Sequence, residues 1–259
     1  MELHYQETSD IFNSVPDHKR VALEEKQSDF EAILKLLKRF KHIDGNTTIL
    51  EIGTGAGWFE ILCKKNGLSC RGLEINPKLV EYAQQLGRNY GFLPDVELGN
   101  IEEKDLGKSS YDIIIANSTF EHVEKWQKGL NSIFDALRPG GLFYFYSTNK
   151  FSFVQGEYDF PLYGWLPDHW RYRLRVARQG EGIMKNGIDF NQFTYFQLRR
   201  AFRKLGFSEV MDRVDILDPD NLNNSNWYKK AILKVLGSVK PLKHLALFFS
   251  SGTLFICRK

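Results

Sequence analysis

The residues best placed to do chemistry lie in one short run, Ile49-Leu50-Glu51-Ile52-Gly53-Thr54-Gly55-Ala56-Gly57-Trp58. Aliphatic and β-branched residues over Thr47–Gly53 predict a strand, and Ala56–Lys65 predicts a helix, so the glycines form the turn between them. Glycine suits that turn because the backbone bends sharply and approaches a ligand closely, with helix N-terminal amides aimed at it. Twenty-one residues after Gly53, a second predicted strand ends at Glu74 and Ile75. An acidic side chain there can accept from both hydroxyls of a ribose. Asn76-Pro77 then supplies an N-cap and a first-turn proline for the next helix.

The third glycine says which kind of ligand. A dinucleotide fingerprint requires glycine at position 58, and Trp58 stands there. The pattern E-x-G-x-G-x-G instead suits a ligand with an amino acid end and no pyrophosphate. For proton transfer the first candidate is His122, which follows a predicted strand at the edge where ligands of open α/β sheets bind. It reads equally as a helix-start histidine bonded to backbone or to Glu124. His169, between Asp168 and Trp170, is the second candidate, or an exposed loop histidine. Glu121 has no second carboxylate at a metal-ligand spacing, so no metal is expected.

Strand and helix patterns alternate around these residues. The periodicity predicts a helix over Ser28–Phe40 with a Ser28/Glu31 capping box, strands at Ser69–Ile75, Asp95–Gly99, Tyr111–Asn117 and Leu142–Ser147, and helices at Pro77–Tyr90 and Trp126–Leu137. Ile113-Ile114-Ile115-Ala116 is an apolar run suited to a strand buried on both faces. This is the pattern of a Rossmann-like, doubly wound, mostly parallel sheet with helices on both faces. Further on, Tyr195–Leu205 reads as a helix closed by Gly206, Ser208–Leu217 as a strand, Trp227–Leu236 as a basic amphipathic helix and Gly252–Cys257 as a last strand.

Residues 150–193 form a long irregular stretch, which in a compact domain points to function. Eleven aromatics fall within 151–195. They read as a lid whose Tyr158, Tyr163, Trp165 and Trp170 line an apolar acceptor pocket, or as rings packing an insertion onto the core. Arg171, Arg173, Arg175 and Arg178 read as an anion site or as a solvated basic face. The tail carries Lys229, Lys230, Lys234, Lys240 and Lys243 and no acidic residue from Trp227 onward. Its helix can lie on an anionic membrane or, the favoured reading, cap its own sheet.

Composition narrows the class. At 259 residues, with 42% hydrophobic and 14% aromatic content, disorder is excluded and one large core is affordable. No window approaches the ~20 apolar residues of a membrane span, and no signal peptide is visible at the start. Cys63, Cys70 and Cys257 form no C-x-x-C pair and read as thiols of a reduced, cytoplasmic protein. The net charge of +3 is an average: residues 1–150 hold 18 basic and 22 acidic residues, and 151–259 hold 17 and 10. A pI near 8.6 with basic residues broken by apolar runs argues against nucleic acid.

Together, Glu51-x-Gly53-x-Gly55-x-Gly57, Gly99-Asn100-Ile101-Glu102, Tyr111–Asn117 with Glu121-His122-Val123, and Leu137-Arg138-Pro139-Gly140-Gly141 resemble class I S-adenosylmethionine-dependent methyltransferases, in particular the ubiquinone-biosynthesis-type O-methyltransferase branch. The resemblance covers roughly residues 45–150. It implies S-adenosylmethionine as cofactor, held by Glu51, Gly53, Thr54, Gly55, Gly57, Glu74 and Ile75. Asn100 (where the family usually has Asp), Ile101 and Glu102 would meet the adenine edge, and Asn117 and Ser118 the methionine end. It implies methyl transfer, by our reading to an oxygen of a small or lipid-like, anionic acceptor bound near His122, His169, Tyr158, Tyr163, Trp165, Trp170 and Arg171. N- or C-methylation and a membrane-docked, non-catalytic binding protein are the alternatives. Aminopropyl transfer needs paired acids where Asn117-Ser118-Thr119 stands. The expected layout is a helical cap over 1–46, a cofactor core over 47–149, a lid over 150–193 and C-terminal helices and strands over 194–259.

Overall fold

The computed structural model describes residues 15, 20–153, 161–179, 191–217 and 227–259; the side chains of residues 172, 175, 176, 178, 179 and 229 also lie outside the description. Seven strands form one sheet: β1 (Thr48–Ile52), β2 (Ser69–Glu74), β3 (Asp95–Leu98), β4 (Tyr111–Asn117), β5 (Leu137–Thr148), β6 (Glu209–Asp212) and β7 (Gly252–Arg258). Their order is β3-β2-β1-β4-β5-β7-β6. β7 runs antiparallel to both neighbours, and the other pairings are parallel. The order reverses between β1 and β4, which opens a crevice at their carboxyl ends.

The pleat of β4 divides the core. Successive side chains point to opposite faces. Ile114 and Ala116 join Phe143, Phe145, Phe202 and Phe255 in one layer. Ile113 and Ile115 join Leu142, Ile256 and the helices that carry Phe30 and Phe59 in the other. All four β4 residues are at most 1% exposed, as a strand covered on both faces must be.

The first-layer helices are α1 (Leu23–Lys38), α2 (Trp58–Lys65), α3 (Pro77–Asn89) and α4 (Trp126–Ala136). The N-cap of α1 falls six residues before the expected one, at Ala22, which makes no side-chain cap. Glu31 is instead held by Gln27 one turn earlier. Glu24 and Glu25 in the first turn favour the early start through the helix dipole. Asn76 caps α3 as read, its side chain accepting from the amide of Lys78 at 2.9 Å. α4 passes directly into β5, with Pro139-Gly140-Gly141 inside the strand's irregular start.

The second half departs further from the sequence reading. A helix, α5 (Asp168–Gln179), occupies part of the stretch expected to be irregular. α6 (Tyr195–Leu205) is capped by Thr194 and closed by Gly206 in the left-handed region. The expected strand over Ser208–Leu217 stops at Asp212. There Asp212 and Asp215 form a capping box that starts α7 (Arg213–Ile216). α8 (Trp227–Ser238) and α9 (Lys240–Phe248) follow, and α9 was not foreseen. α8 packs on α7 and α9.

Candidate active site

The glycine turn forms a cradle between β1 and α2. Gly53, Gly55 and Gly57 have φ of +71°, +58° and +70°, a region costly to side-chain-bearing residues. Two are also crowded: a Cβ on Gly53 would run into the Thr119 side chain, and one on Gly57 would sit 2.6 Å from the Ala83 Cβ. Thr119 ties the cradle to the end of β4, since its hydroxyl donates to the carbonyl of Ile52 at 3.0 Å. Ser118 beside it holds φ of +51°, and its amide donates to the carbonyl of Tyr146 at 2.9 Å. A non-glycine residue in that region, at the switch point, marks a position the surroundings force.

Glu74 lies across the cradle, 5% exposed. One carboxylate oxygen accepts from the amide of Gly55 at 2.8 Å and the other from that of Asn76 at 2.9 Å. A carboxylate has about four acceptor positions, of which these two backbone bonds take two. The carboxylate is thus aimed by backbone before any ligand arrives. Ile75 follows, half-buried. After β3, the Asn100 side-chain oxygen accepts from the amide of Glu102 at 2.9 Å, which fixes the turn that buries Ile101 and Glu102. That bond takes one lone pair of the Asn100 oxygen and leaves one for an exocyclic amine.

Beneath the cradle two acids meet. Glu51, from β1, and Glu60, from α2, are 4% and 1% exposed. Their carboxyls lie together beside Thr54, and Glu60 also fills the space over Gly72, whose Cβ would come within 2.5 Å of it. Glu51 Oε2, Thr54 Oγ1 and both Glu60 oxygens are buried without a hydrogen-bond partner. Burial and the neighbouring Glu60 push Glu51 well above the usual carboxylate range. Glu60 is pushed up to about 7, chiefly by burial. Both carboxyls therefore resist ionisation. Glu60 was missed in the sequence because its role appears only when one turn of α2 is laid over β1.

A cleft of about 520 Å³ opens from the cradle, lined by Glu51, Gly53, Thr54, Gly55, Trp58, Asn117 and Ser118, by Lys26, Asp29 and Ile33 of α1, and by Tyr144 and Tyr146 of β5. Lys26 pairs with Asp29 at 3.2 Å and stands 5.8 Å over the Trp58 ring. Burial, then the adjacent Tyr146, push the Tyr144 phenol up to about 12, so it stays protonated and keeps a hydrogen to donate. Trp58, which counted against a dinucleotide, is thus a wall of the cleft. No sequence signal marked Lys26, Tyr144 or Tyr146, because they come from elements distant in the chain.

The remaining expected residues lie elsewhere. His122 is half-buried in a 3₁₀ turn (Phe120–His122) and does not line the cleft. Asn191 clamps that turn by donating to the carbonyls of Phe120 and Val123. His169 and Trp170 are exposed on α5. Arg171 is buried, pairs with Asp168 at 2.6 Å and lies 5.7 Å over the buried Tyr163 ring. Trp165 packs on Phe151 and Phe249. Among the described aromatics of this stretch, then, packing prevails and none lines the cleft. Tyr158 lies outside the described residues. Cys63 and Cys257 are buried and Cys70 is half-buried, all three unpaired.

The comparisons agree with this geometry. The family described as a methyltransferase domain matches residues 24–211. A ubiquinone biosynthesis O-methyltransferase of Methylobacterium is 27% identical over 46% of this chain and 49% of its own length. A malonyl-[acyl-carrier protein] O-methyltransferase of Halalkalibacterium halodurans is 25% identical over 62% and 59%. The matched region thus spans only about half to three-fifths of these relatives. Among solved structures, phosphoethanolamine N-methyltransferase 2 of Haemonchus contortus, in complex with S-adenosyl-L-methionine, superposes with a TM-score of 0.57 at 17% identity over 88% of this chain and 52% of that one. A methyltransferase of Archaeoglobus fulgidus gives 0.56 at 18% identity over 94% and 97%. The chain belongs to the methyltransferase-domain family, in its class I, S-adenosylmethionine-dependent form.

Proposed function

We propose that the chain transfers a methyl group from S-adenosylmethionine to an oxygen of a small or lipid-like, negatively charged acceptor. The observation that carries this reading is the continuity of cradle and cleft: the acceptor space starts at Asn117, Ser118 and Glu51 and ends at Lys26 and the two tyrosines. The sulfonium cofactor supplies an activated methyl group. The protein's task is then to aim the acceptor atom along the line of displacement and to exclude water. Glu74 would hold the ribose, Asn100 to Glu102 the adenine, and Glu51 with the Ser118 turn the amino acid end. Tyr144 and Tyr146 would flank the acceptor, and Lys26 would offset its charge at the mouth. An acceptor already ionised needs no strong base, which suits a cleft whose described lining holds no histidine. The O-methyltransferases among the relatives support the choice of oxygen.

Isothermal titration with S-adenosylmethionine and S-adenosylhomocysteine should give micromolar affinity; no heat and no thermal shift with either overturns the cofactor assignment. Incubation with methyl-labelled cofactor and panels of phenols, carboxylates, amines and activated carbon acids should label an oxygen. Label on nitrogen or carbon alone overturns the acceptor class.

A further inference from the structure

Between β6 and β7 the chain builds α7, α8 and α9 across the carboxyl edge of the sheet, the edge that carries the cradle. α9 is fastened firmly there. Lys243, 7% exposed, reaches Asp212 at 2.9 Å and Asp215 at 2.5 Å. Asn149, next after β5, donates its side-chain amide to the carbonyls of Phe248 and Ser250 at 2.9 Å each. Phe248 stacks on Phe151 at 4.5 Å, and Phe249 on Phe153 at 5.1 Å. The end of α9 is therefore rigidly joined to the end of β5.

What these helices turn outward is apolar. Trp227 is 81% exposed, and Ile232 and Val235 are at least half exposed. Ile232, Val235 and Val239 follow one another at spacings of three and four, one helix face that Trp227 does not share, and the Val239 amide still donates to the carbonyl of Val235 at 2.9 Å. Leu242 and Leu245 extend the exposed apolar surface along α9. Single exposed hydrophobics are ordinary, whereas a contiguous face is a contact surface.

Charge decides the occupant. No acidic residue lies between Trp227 and the C-terminus, and Lys230 and Lys234 lie on the side of α8 opposite Ile232 and Val235. Lys243 is already used inside. A second copy of the same segment would bring together two acid-free, lysine-bearing helices. An anionic bilayer would take isoleucine and valine at its acyl boundary and attract the helix through the lysines of its polar face. Among the described residues no helix is long and apolar enough to cross a membrane, so the contact is one of lying on, not spanning. We propose that the exposed face of α8 and α9 docks on an anionic lipid bilayer. The docking itself stands apart from the proposed methyl transfer; only its consequence, a cleft edge held toward a lipid-borne acceptor, rests on that reading.

The test is sedimentation of the whole chain with vesicles of phosphatidylcholine alone and of phosphatidylcholine mixed with phosphatidylglycerol. Binding is expected to the mixed vesicles and to weaken at high salt. Ile232→Glu with Val235→Glu should lower the partition coefficient more than tenfold while leaving S-adenosylhomocysteine affinity unchanged. Lys230→Gln with Lys234→Gln should abolish the preference for the anionic lipid. Three results overturn the proposal: no vesicle binding, binding that survives the double glutamate variant, or a dimer in solution that this variant dissociates. Vesicle binding without cofactor affinity would defeat the proposed function and leave the docking intact; the converse would do the reverse.

Discussion

Replacing Glu60 by glutamine should stabilise the protein, and only above a defined pH. Glu60 has a folded-state pKa of about 7 against 4.5 for the free side chain. For an acid raised by folding, the stabilising protonated state is fully available below 4.5 and is lost as pH rises through 7. A gap of about 2.5 units at 1.36 kcal/mol each is a penalty of about 3 kcal/mol, complete by pH 8. Glutamine keeps the shape, carries no charge and gives Glu51 a permanent donor. In a chain of this size 1 kcal/mol corresponds to about 2 °C in Tm, so the variant should melt about 6 °C higher than the parent at pH 8. At pH 5 the two should melt within a degree or two of each other, because Glu60 is then largely neutral. The assay is thermal unfolding of both proteins at the two pH values without cofactor. The same Tm difference at both, or a glutamine variant less stable at pH 8, would refute the account of a carboxyl raised by burial.

Other expectations follow from single contacts. Glu74→Ala removes the acceptor aimed by Gly55 and Asn76, and should weaken S-adenosylhomocysteine binding by about 1.5–3 kcal/mol in calorimetry. Unchanged affinity would take Glu74 out of the site. Gly57→Ala places a methyl 2.6 Å from the Ala83 Cβ at φ +70°, and should cost about 2–4 kcal/mol in urea unfolding. Lys243→Met strands Asp212, whose side chain is 1% exposed, and should cost about 3–5 kcal/mol; a loss under 1 kcal/mol would mean that α9 is held by its aromatic contacts alone.

Much of the first half was legible because its signals are local. The apolar run of β4, the glycines of the cradle, Glu74 at the end of β2 and the Asn76-Pro77 cap each depend on neighbours within a few residues. Where a local signal had a competitor, the reading failed. Ser28 and Glu31 have the spacing of a capping box, but Leu23 and Phe30 bury one face of a longer helix, and burial outweighs a cap. Ser208–Leu217 alternates like a strand, yet the Asp212–Asp215 box turns it into a helix halfway.

The sequence by itself determined the doubly wound sheet and the cofactor cradle. Backbone conformation at glycine, strand burial and helix capping are set by residue type at short range. Tertiary structure alone decided the rest. Glu60 became half of an acid pair only when α2 crossed β1. Tyr144, Tyr146 and Lys26 became a cleft only when β5 and α1 met over the turn. Among the described aromatics after β5, Phe151, Phe153 and Trp165 met their partners Phe248 and Phe249 only when the end of α9 came to rest there. Each depends on which surfaces meet at long range, and spacing along a chain carries no record of that.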